Sequence, residues 1–187
     1  MAQGRWFDCH SLSPTMFAYF THHLYWERTI MPEPRKLSFD SLDSAIQDAE
    51  QLLSSGYETA GDWNLVQVCG HLEKWLSYPM NGFPKMDLPA DATTDPAAAE
   101  AGKEMLNNIL SNGFPNGVPT NPDTIPTADS VSEEAALGQL RDVVEQFNQF
   151  DGDIVASPFF GVMDKETTLG LQLRHFEHHF GFLVPKS

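Results

Sequence analysis

Apolar side chains recur at helical spacing in four stretches of the chain. The clearest stretch is residues 41–55, where positions i, i+3, i+4, i+7, i+10 and i+11 carry Leu42, Ala45, Ile46, Ala49, Leu52 and Leu53. This spacing places all six side chains on one face of a helix. Asp40 or Ser41 can cap the start of this helix, and Gly56 follows it where a left-handed C-terminal cap is expected.

Three further stretches predict helices of similar length. The second helix begins near Asn64 and Gln67, which form a variant of the capping box, and it is expected to end near Ser77, before the next proline. The third helix is predicted at about 132–150, with a buried face made of Leu137, Leu140, Val144 and Phe147. The fourth and last helix is predicted at about 164–182.

A long segment rich in turn residues separates the second and third helices. One helical stretch near 97–111 interrupts it, and its prolines include Pro84, Pro89, Pro96, Pro115, Pro119, Pro122 and Pro126. This composition is typical of a crossover connection, and so long a segment inside one domain often lines or covers a site. Long strand-like alternation is absent from the sequence. The predicted fold class is therefore all-α, with four principal helices around one core.

Composition and charge narrow the class of partner. The 187 residues, of which 41% are hydrophobic, suit one domain with a real core. A formal charge of −15 would repel nucleic acid and anionic membrane surfaces, so a small-molecule substrate or a second copy in a homodimer is the expected partner. No apolar run approaches the roughly 18 residues of a membrane span. With only Cys9 and Cys69, a reduced, cytoplasmic location is the simpler interpretation.

The first 30 residues differ from the rest of the chain. They are rich in aromatic residues without clean periodicity, and polar residues interrupt any signal-peptide-like run. We interpret residues 1–34 as a weakly structured extension, with Met31 as an alternative natural start, and residues 35–184 as the helical domain. The rival interpretation is an extra N-terminal helix packed on the other helices.

Two histidines of the last predicted helix stand four residues apart. His175 and His179 therefore share one face, roughly 6 Å apart, and both imidazoles can turn toward a single ion. A third histidine on a facing helix would complete a site, and His71 of the second helix is the candidate. Neutral imidazoles bind Zn, Ni, Cu and Fe well, and three protein ligands leave a position for water or substrate.

Each histidine also has a structural interpretation. His175 and His179 can face solvent near the negative end of the helix dipole. His71 can be a core histidine satisfied by a backbone carbonyl, which the spacing alone favours. His178 lies about 100° around the helix from His179, so we expect it at the surface or rim. It is the substitute ligand if the helix register differs.

The sequence around these histidines resembles the DinB-like superfamily of metal-binding four-helix bundles, and especially a subgroup known only as a domain of unknown function. Residues 63–72, WNLVQVCGHL, resemble the tryptophan, helix cap and histidine-leucine pattern of the superfamily's second helix. Residues 81–84, NGFP, resemble the subgroup's following turn, and residues 175–179, HFEHH, resemble its last-helix histidines. The resemblance covers roughly residues 35–184.

This resemblance implies an up-down-down-up bundle with a long Pro/Gly-rich crossover between helices 2 and 3. It assigns the metal ligands to His71, His175 and His179, with a divalent transition metal, Zn or Ni, as cofactor. Some relatives transfer or isomerise groups with low-molecular-weight thiols, and others are metal-dependent hydrolases. Residues 180–182 read FGF where many relatives carry an arginine-glycine-glutamine run, so substrate specificity does not carry over.

We therefore expect a divalent-metal-dependent enzyme of hydrolase or thiol-dependent transferase type, and no general base stands out beside its site. The alternative is a non-catalytic bundle that binds a small ligand or acts as a dimeric interaction module. Among nearby residues, Gln67 is expected to cap its helix, Cys69 to be a small buried hydrophobe and Glu177 to face solvent. Four aromatic residues can form the walls of a pocket, although residues at such positions more often belong to the core: Trp63, Trp75, Phe159 and Phe160.

Overall fold

The computed structural model describes residues 32–86, 90–117 and 120–186, and it is mostly helical. Five helices and a two-stranded sheet follow one another along these residues. In chain order they are α1 (Leu42–Ser55), β1 (Tyr57–Thr59), α2 (Leu65–Asn81), α3 (Pro96–Asn112), α4 (Glu133–Gln149), α5 (Lys165–Gly181) and β2 (Leu183–Pro185). The helical class expected from the hydrophobic pattern is confirmed, apart from the short sheet.

Side-chain caps fix where the helices begin. The Ser41 hydroxyl accepts a hydrogen bond from the Ser44 backbone N–H, and α1 starts at the next residue. At α2 the predicted box is present, since the Asn64 side chain accepts from Gln67 N at 3.0 Å and the Gln67 side chain accepts from Asn64 N at 3.2 Å. Gln67 is thus a capping residue, as expected from the sequence.

The end of α2 differs from the prediction. The helix was expected to stop near Ser77, before Pro79, but it continues through Pro79 to Asn81. A proline has no backbone N–H, so the carbonyl of Trp75, four residues earlier, loses its usual helical partner. That carbonyl instead accepts a hydrogen bond from Gln172 Nε2 of α5 at 3.2 Å. A neighbouring helix therefore supplies the bond that Pro79 cannot make.

One hydrophobic core collects the apolar faces of α1, α2, α4 and α5. The predicted face of α1 is buried apart from Leu53, which is half-buried, and the predicted face of α4 is buried throughout. The largest fully buried side chains of this core are Phe147, Phe176, Phe180, Leu42, Leu52, Leu65, Leu72, Leu76, Leu137, Leu140 and Leu183. Burial of such side chains supplies most of the folding free energy, at about 1.5–3 kcal/mol each.

The long segment between α2 and α4 forms a second layer over α5. Its helical stretch, expected near 97–111, is α3, and a short 3₁₀ helix follows at Pro122–Thr124. α3 packs on α5. Between them lies a smaller apolar cluster made of Leu106 and Ile109 of α3, Leu171 of α5 and Met163, which precedes α5. The connection therefore covers one side of the last helix, where two of the predicted ligands lie.

The two-stranded sheet was not predicted. β1 and β2 pair antiparallel, with Tyr57 opposite Pro185, Glu58 opposite Val184 and Thr59 opposite Leu183. Strands of three residues are too short to show an alternating pattern. The pairing ties the segment after α5 to the turn between α1 and α2.

The interpretation of residues 1–34 as an extension, including Met31 as an alternative start, falls almost entirely outside the described residues and stays a prediction. His10, His22 and His23 could in principle bind a metal, although their sequence context argues against it, and they also lie outside the described residues. Among the helices that the structure describes, none is long and apolar enough to cross a membrane.

Candidate metal centre

The structure brings His71, His175 and His179 together between α2 and α5. The Nε2 atoms of His71 and His175 are 3.2 Å apart, and those of His179 and His175 are 3.0 Å apart. The candidate ligand atoms of all three residues lie within 4.8 Å of one another. The three side chains are the same three that the sequence singled out.

Helical spacing on α5 separates these histidines from the hydrophobic core. Phe176 and Phe180 each follow a cluster histidine by one position, and both are fully buried in the core. Adjacent helix positions differ by about 100°, so His175 and His179 face a different side of the helix. His178 lies outside the cluster, half-buried beside Phe114 and Phe182. It is a rim residue, as expected.

Thr124 of the crossover segment fixes the tautomer of His71. The Thr124 hydroxyl donates to the carbonyl of Asn121 at 2.6 Å, which uses its only proton. Thr124 Oγ1 must therefore accept from Nδ1–H of His71, 3.1 Å away. With the proton on Nδ1, the lone pair of His71 Nε2 points into the cluster, which is the form that binds a metal.

Burial keeps the three imidazoles neutral. Desolvation lowers the pKa of His71 from 6.5 to about 4. It also lowers the pKa of His175 and of His179 well below the usual value, with a smaller contribution from the neighbouring histidines. Near pH 7 all three side chains are therefore unprotonated at one ring nitrogen and free of positive charge.

The arrangement fits a first-row transition metal. Nitrogen ligands about 2.0–2.1 Å from one Zn²⁺ ion lie roughly 3.0–3.4 Å from one another. The Nε2 separations of 3.2 and 3.0 Å fall in this range. Within the described ranges, the cluster contains neither a carboxylate nor a thiolate. An all-imidazole set suits Zn, Ni, Cu or Fe better than Mg or Ca.

Two aromatic rings hold the histidine rings in place. The indole of Trp63 stacks on the ring of His179, with centroids 5.1 Å apart and an interplanar angle of 7°. The same indole lies 5.0 Å from the ring of His71. Phe114 of the crossover segment lies 5.0 Å from the ring of His175. These contacts restrict the rotation of the imidazoles.

A cavity of about 940 Å³ opens beside the histidines. Its lining includes the four aromatic residues that the sequence offered either as pocket walls or as core, namely Trp63, Trp75, Phe159 and Phe160. α3 and the crossover segment supply further apolar side chains of the wall, namely Met86, Met105, Ile109, Phe114 and Pro115. Binding sites for small molecules have similar volumes and linings.

Two nearby residues have structural roles. Cys69 is fully buried in the hydrophobic core, and burial raises the pKa of its thiol to about 12, so it is neither ligand nor nucleophile. Glu177 was expected to face solvent, and this was wrong. Its side chain is 10% exposed, accepts from Phe39 N at 2.9 Å and pairs with Arg174 at 2.7 Å.

Sequence reasoning missed three residues around the centre. Gln172 lies three positions before His175 on α5, a helical spacing that could have placed it beside the site. Thr124 and Phe114 come from the crossover segment, whose sequence carries no periodicity that would place them. Their positions depend on how that segment folds over α5.

Comparison with known families adds one finding. Residues 31–186 match a family described as Protein of unknown function (DUF1569). The chain belongs to the DUF1569 family. No curated protein and no solved structure matches this DUF1569 chain significantly. The matched range includes the three clustered histidines and the segments that line the cavity.

Proposed function

We propose that this DUF1569 protein binds one divalent transition metal, Zn or Ni, through His71, His175 and His179 and acts as a metal-dependent enzyme. The observation that carries the proposal is the convergence of three neutral imidazoles beside a cavity, with Nε2 of His175 3.2 Å from that of His71 and 3.0 Å from that of His179. Without an ion, a ring N–H can be donated to only one neighbouring nitrogen, so at least one of the three nitrogens is left without a partner. A bound metal ion would accept a lone pair from each of the three imidazoles and so account for their burial together.

The reaction class we propose is hydrolysis or thiol-dependent group transfer, the latter with a low-molecular-weight thiol as co-substrate. A divalent ion held by three neutral imidazoles keeps its full charge and lowers the pKa of a bound water or thiol. The residues of this chain hold the ion, orient the imidazoles through Thr124 and Trp63, and enclose a substrate among aromatic rings. The carboxylates of the cavity lining, Asp62 and Asp123, are exposed.

We further propose that the fold is that of the DinB-like superfamily. α1, α2, α4 and α5 would form the up-down-down-up bundle, and α3 would belong to the crossover between its second and third helices. The shared core of these four helices supports this assignment, as does the length of the segment between α2 and α4. We propose a cytoplasmic location, a small-molecule substrate and a homodimer, and the charge of −15 argues against nucleic acid.

The first test is metal content. Purified protein is compared with His71→Ala and His179→Ala by elemental analysis, and melting curves are recorded with and without a chelator. We expect about one transition-metal ion per chain in the wild type, and loss of that ion in both variants with a lowered melting temperature. His178→Ala is the matched control, because His178 lies beside the cluster and outside it. It should retain the ion.

Absence of metal, together with stability that ignores a chelator even after Zn or Ni is added, would refute the enzyme proposal. The second candidate function, a non-catalytic module that binds a small ligand, would then remain. The size and aromatic lining of the cavity favour it independently of any ion.

A further inference from the structure

Six aromatic side chains line the cavity beside the histidines, and all six are half-buried rather than fully buried. They are Trp63, Trp75, Phe114, Phe159, Phe160 and Phe182. An aromatic ring that stays partly exposed in a concave wall leaves apolar surface for another molecule to cover. Binding sites for small molecules are typically lined in this way. The cavity is therefore suited to a ligand with a mainly apolar body.

Three of these rings contact one another in sequence, and the first of them contacts the metal centre. The ring centroid of Trp75 lies 6.2 Å from that of His175. Phe159 lies 5.8 Å from Trp75, and Phe160 lies 6.2 Å from Phe159. We call Trp75, Phe159 and Phe160 the aromatic row. A planar apolar group can pack against this row by stacking or edge-to-face contact, in the same cavity that the histidines line.

The charged side chains that line the described part of the cavity are all exposed. The Asp, Glu, Lys and Arg residues among them are Asp62, Lys85 and Asp123. Burial lowers the pKa of the lining residue His178, as it does for the three clustered histidines, so these imidazoles are neutral near pH 7. Burying an unpaired ion costs far more than burying a neutral group. A charge on the body of a ligand would therefore be unfavourable.

The proposed metal centre is the one place in this cavity where a negative charge would find a partner. An ion held by the neutral imidazoles of His71, His175 and His179 keeps its full divalent charge, since this cluster contains no carboxylate or thiolate among the described residues. All three histidines line the cavity, and His179 is only half-buried. An anionic donor atom is consequently favoured over a neutral one at the position that three protein ligands leave open.

We propose that this cavity binds molecules with an uncharged aromatic body and a single anionic donor group. The donor group, a carboxylate or a thiolate, binds the metal ion beside the histidines, and the body packs against the aromatic row. This inference names the substrate class of the proposed enzyme and rests on the proposed metal centre. It disfavours substrates that carry several charges, because the described walls offer those charges no buried partner.

The test compares four ligands by titration calorimetry on zinc-loaded protein. Among them, 2-naphthoate has both the body and the anionic group, 2-acetylnaphthalene has the body alone, acetate has the anionic group alone, and naphthalene-2,6-dicarboxylate carries a second charge on the body. We expect 2-naphthoate to bind most tightly. Acetate should bind roughly 100-fold more weakly, because it lacks the apolar surface. The dicarboxylate should bind roughly 10-fold more weakly, because its second charge has no partner.

The same titrations on chelator-treated protein separate the two parts of the ligand. Removal of zinc should weaken the binding of 2-naphthoate roughly 10-fold or more, since neutral imidazoles offer its carboxylate no opposite charge. The neutral 2-acetylnaphthalene should bind nearly equally well in both states, because it depends on the walls alone. A melting curve verifies that the chelator-treated protein is folded.

Phe159→Ala removes the middle ring of the aromatic row and no histidine. It should weaken 2-naphthoate and 2-acetylnaphthalene by a similar factor, roughly 5-fold or more, while the protein keeps its zinc. Phe83→Ala is the matched control, since Phe83 is also half-buried but is not among the residues that line the cavity. It should leave both affinities unchanged.

The ranking on the wild-type protein decides the inference even if a variant fails to fold. Acetate or the dicarboxylate binding as tightly as 2-naphthoate would overturn it, and so would a failure of 2-acetylnaphthalene to bind. If elemental analysis finds zinc but 2-naphthoate gains no affinity from it, the inference fails and the metal centre stands. If the protein takes up no zinc, the metal centre is refuted and the inference fails with it, so elemental analysis distinguishes the two failures.

Discussion

Thr124 connects the crossover segment to the chemistry of His71. It accepts from His71 Nδ1–H at 3.1 Å while its own proton goes to the Asn121 carbonyl at 2.6 Å. Hydrogen bonds of this kind orient metal-binding histidines, and their loss usually lowers metal affinity 10- to 100-fold. One buried hydroxyl therefore sets both the ring orientation and the tautomer of a proposed ligand.

Replacing Thr124 should weaken metal binding without removing a ligand. Thr124→Val leaves the buried Nδ1–H of His71 without an acceptor, so we expect Zn²⁺ affinity to fall about 10- to 100-fold. The free energy of unfolding should fall by about 1–3 kcal/mol. Competition titration with a zinc chelator and urea denaturation measure the two effects.

Two controls accompany this variant. Thr124→Ser keeps a hydroxyl and should restore most of the affinity, and Thr127→Val changes an exposed threonine of the same segment and should have little effect. Unchanged affinity in Thr124→Val would show that Thr124 does not orient His71.

The buried histidines make the metal-free protein sensitive to acid. The pKa of His71 is about 4 in the folded state and about 6.5 in the unfolded state, so the unfolded chain binds a proton first as the pH falls. Stability is complete above about pH 6.5 and declines toward pH 4, with a slope of up to about 1.4 kcal/mol per pH unit for each such histidine. The lowered pKa values of His175 and His179 act in the same direction.

Urea denaturation of chelator-treated protein at about pH 7, 6 and 5 tests this dependence. His71→Ala should show a shallower decline, by about one proton's contribution. Stability that stays level or rises between these pH values would show that the histidines are not buried in neutral form.

At the scale of elements, close backbone contact positions α3. A Cβ atom built on Gly102 would lie 2.1 Å from the carbonyl oxygen of Phe159 and 3.2 Å from Cα of Phe160. Both neighbours are backbone atoms, which cannot turn aside as a flexible side chain can. The absence of a side chain at position 102 thus lets the helix approach the loop that carries two aromatic residues of the cavity wall.

Gly102→Ala should therefore destabilise the protein, although alanine is the better helix former. We expect a loss of about 1–3 kcal/mol in the free energy of unfolding, as for other overpacked sites. Gly138→Ala in α4 is the matched control, since a Cβ there meets nothing within 4 Å. It should be stabilising by about 0.5–1 kcal/mol. Equal effects in the two variants, measured by thermal and urea denaturation, would argue against the close contact.

The sequence predicted the helices well and the segments between them poorly. α1 and α4 have clean apolar faces and capping residues, and their bounds agree within a residue with the predicted 41–55 and 132–150. The end of α2 was missed because Pro79 is tolerated once Gln172 satisfies the carbonyl it frees. Only the tertiary structure shows that compensation, and the same is true of the pairing between β1 and β2.

At the scale of the whole molecule, the histidine cluster joins distant parts of the chain. His71 belongs to α2, His175 and His179 belong to α5, and Thr124 brings in the crossover segment. Helical spacing alone could predict that His175 and His179 share one face of α5. The assignment of His71 as their partner needed the resemblance to the DinB-like superfamily. Phe114 and Thr124 could not be placed, because nonlocal packing alone decides where an aperiodic segment lies.

Metal binding should consequently protect these segments together. With Zn²⁺ at about 100 times its dissociation constant, the folded state gains about 2.7 kcal/mol. Hydrogen exchange should slow in α2, α5 and residues 121–124 more than on the exposed side of α3. His175→Ala should abolish this pattern. Uniform protection along the described residues, or none, would contradict a metal link between α2 and α5.

The stacking of Trp63 on His179 gives the molecule its own optical reporter. The indole lies 5.1 Å from the ring of a proposed ligand, so an ion bound there would be close to it. Ions with an incomplete d shell, such as Ni²⁺ and Cu²⁺, quench indole emission at such range, whereas Zn²⁺ has a closed d shell and lacks this effect. Ni²⁺ or Cu²⁺ should therefore lower the tryptophan emission, whereas Zn²⁺ should not. Trp63→Phe should reduce this quenching, and Trp75, 6.2 Å from the ring of His175, accounts for the remainder.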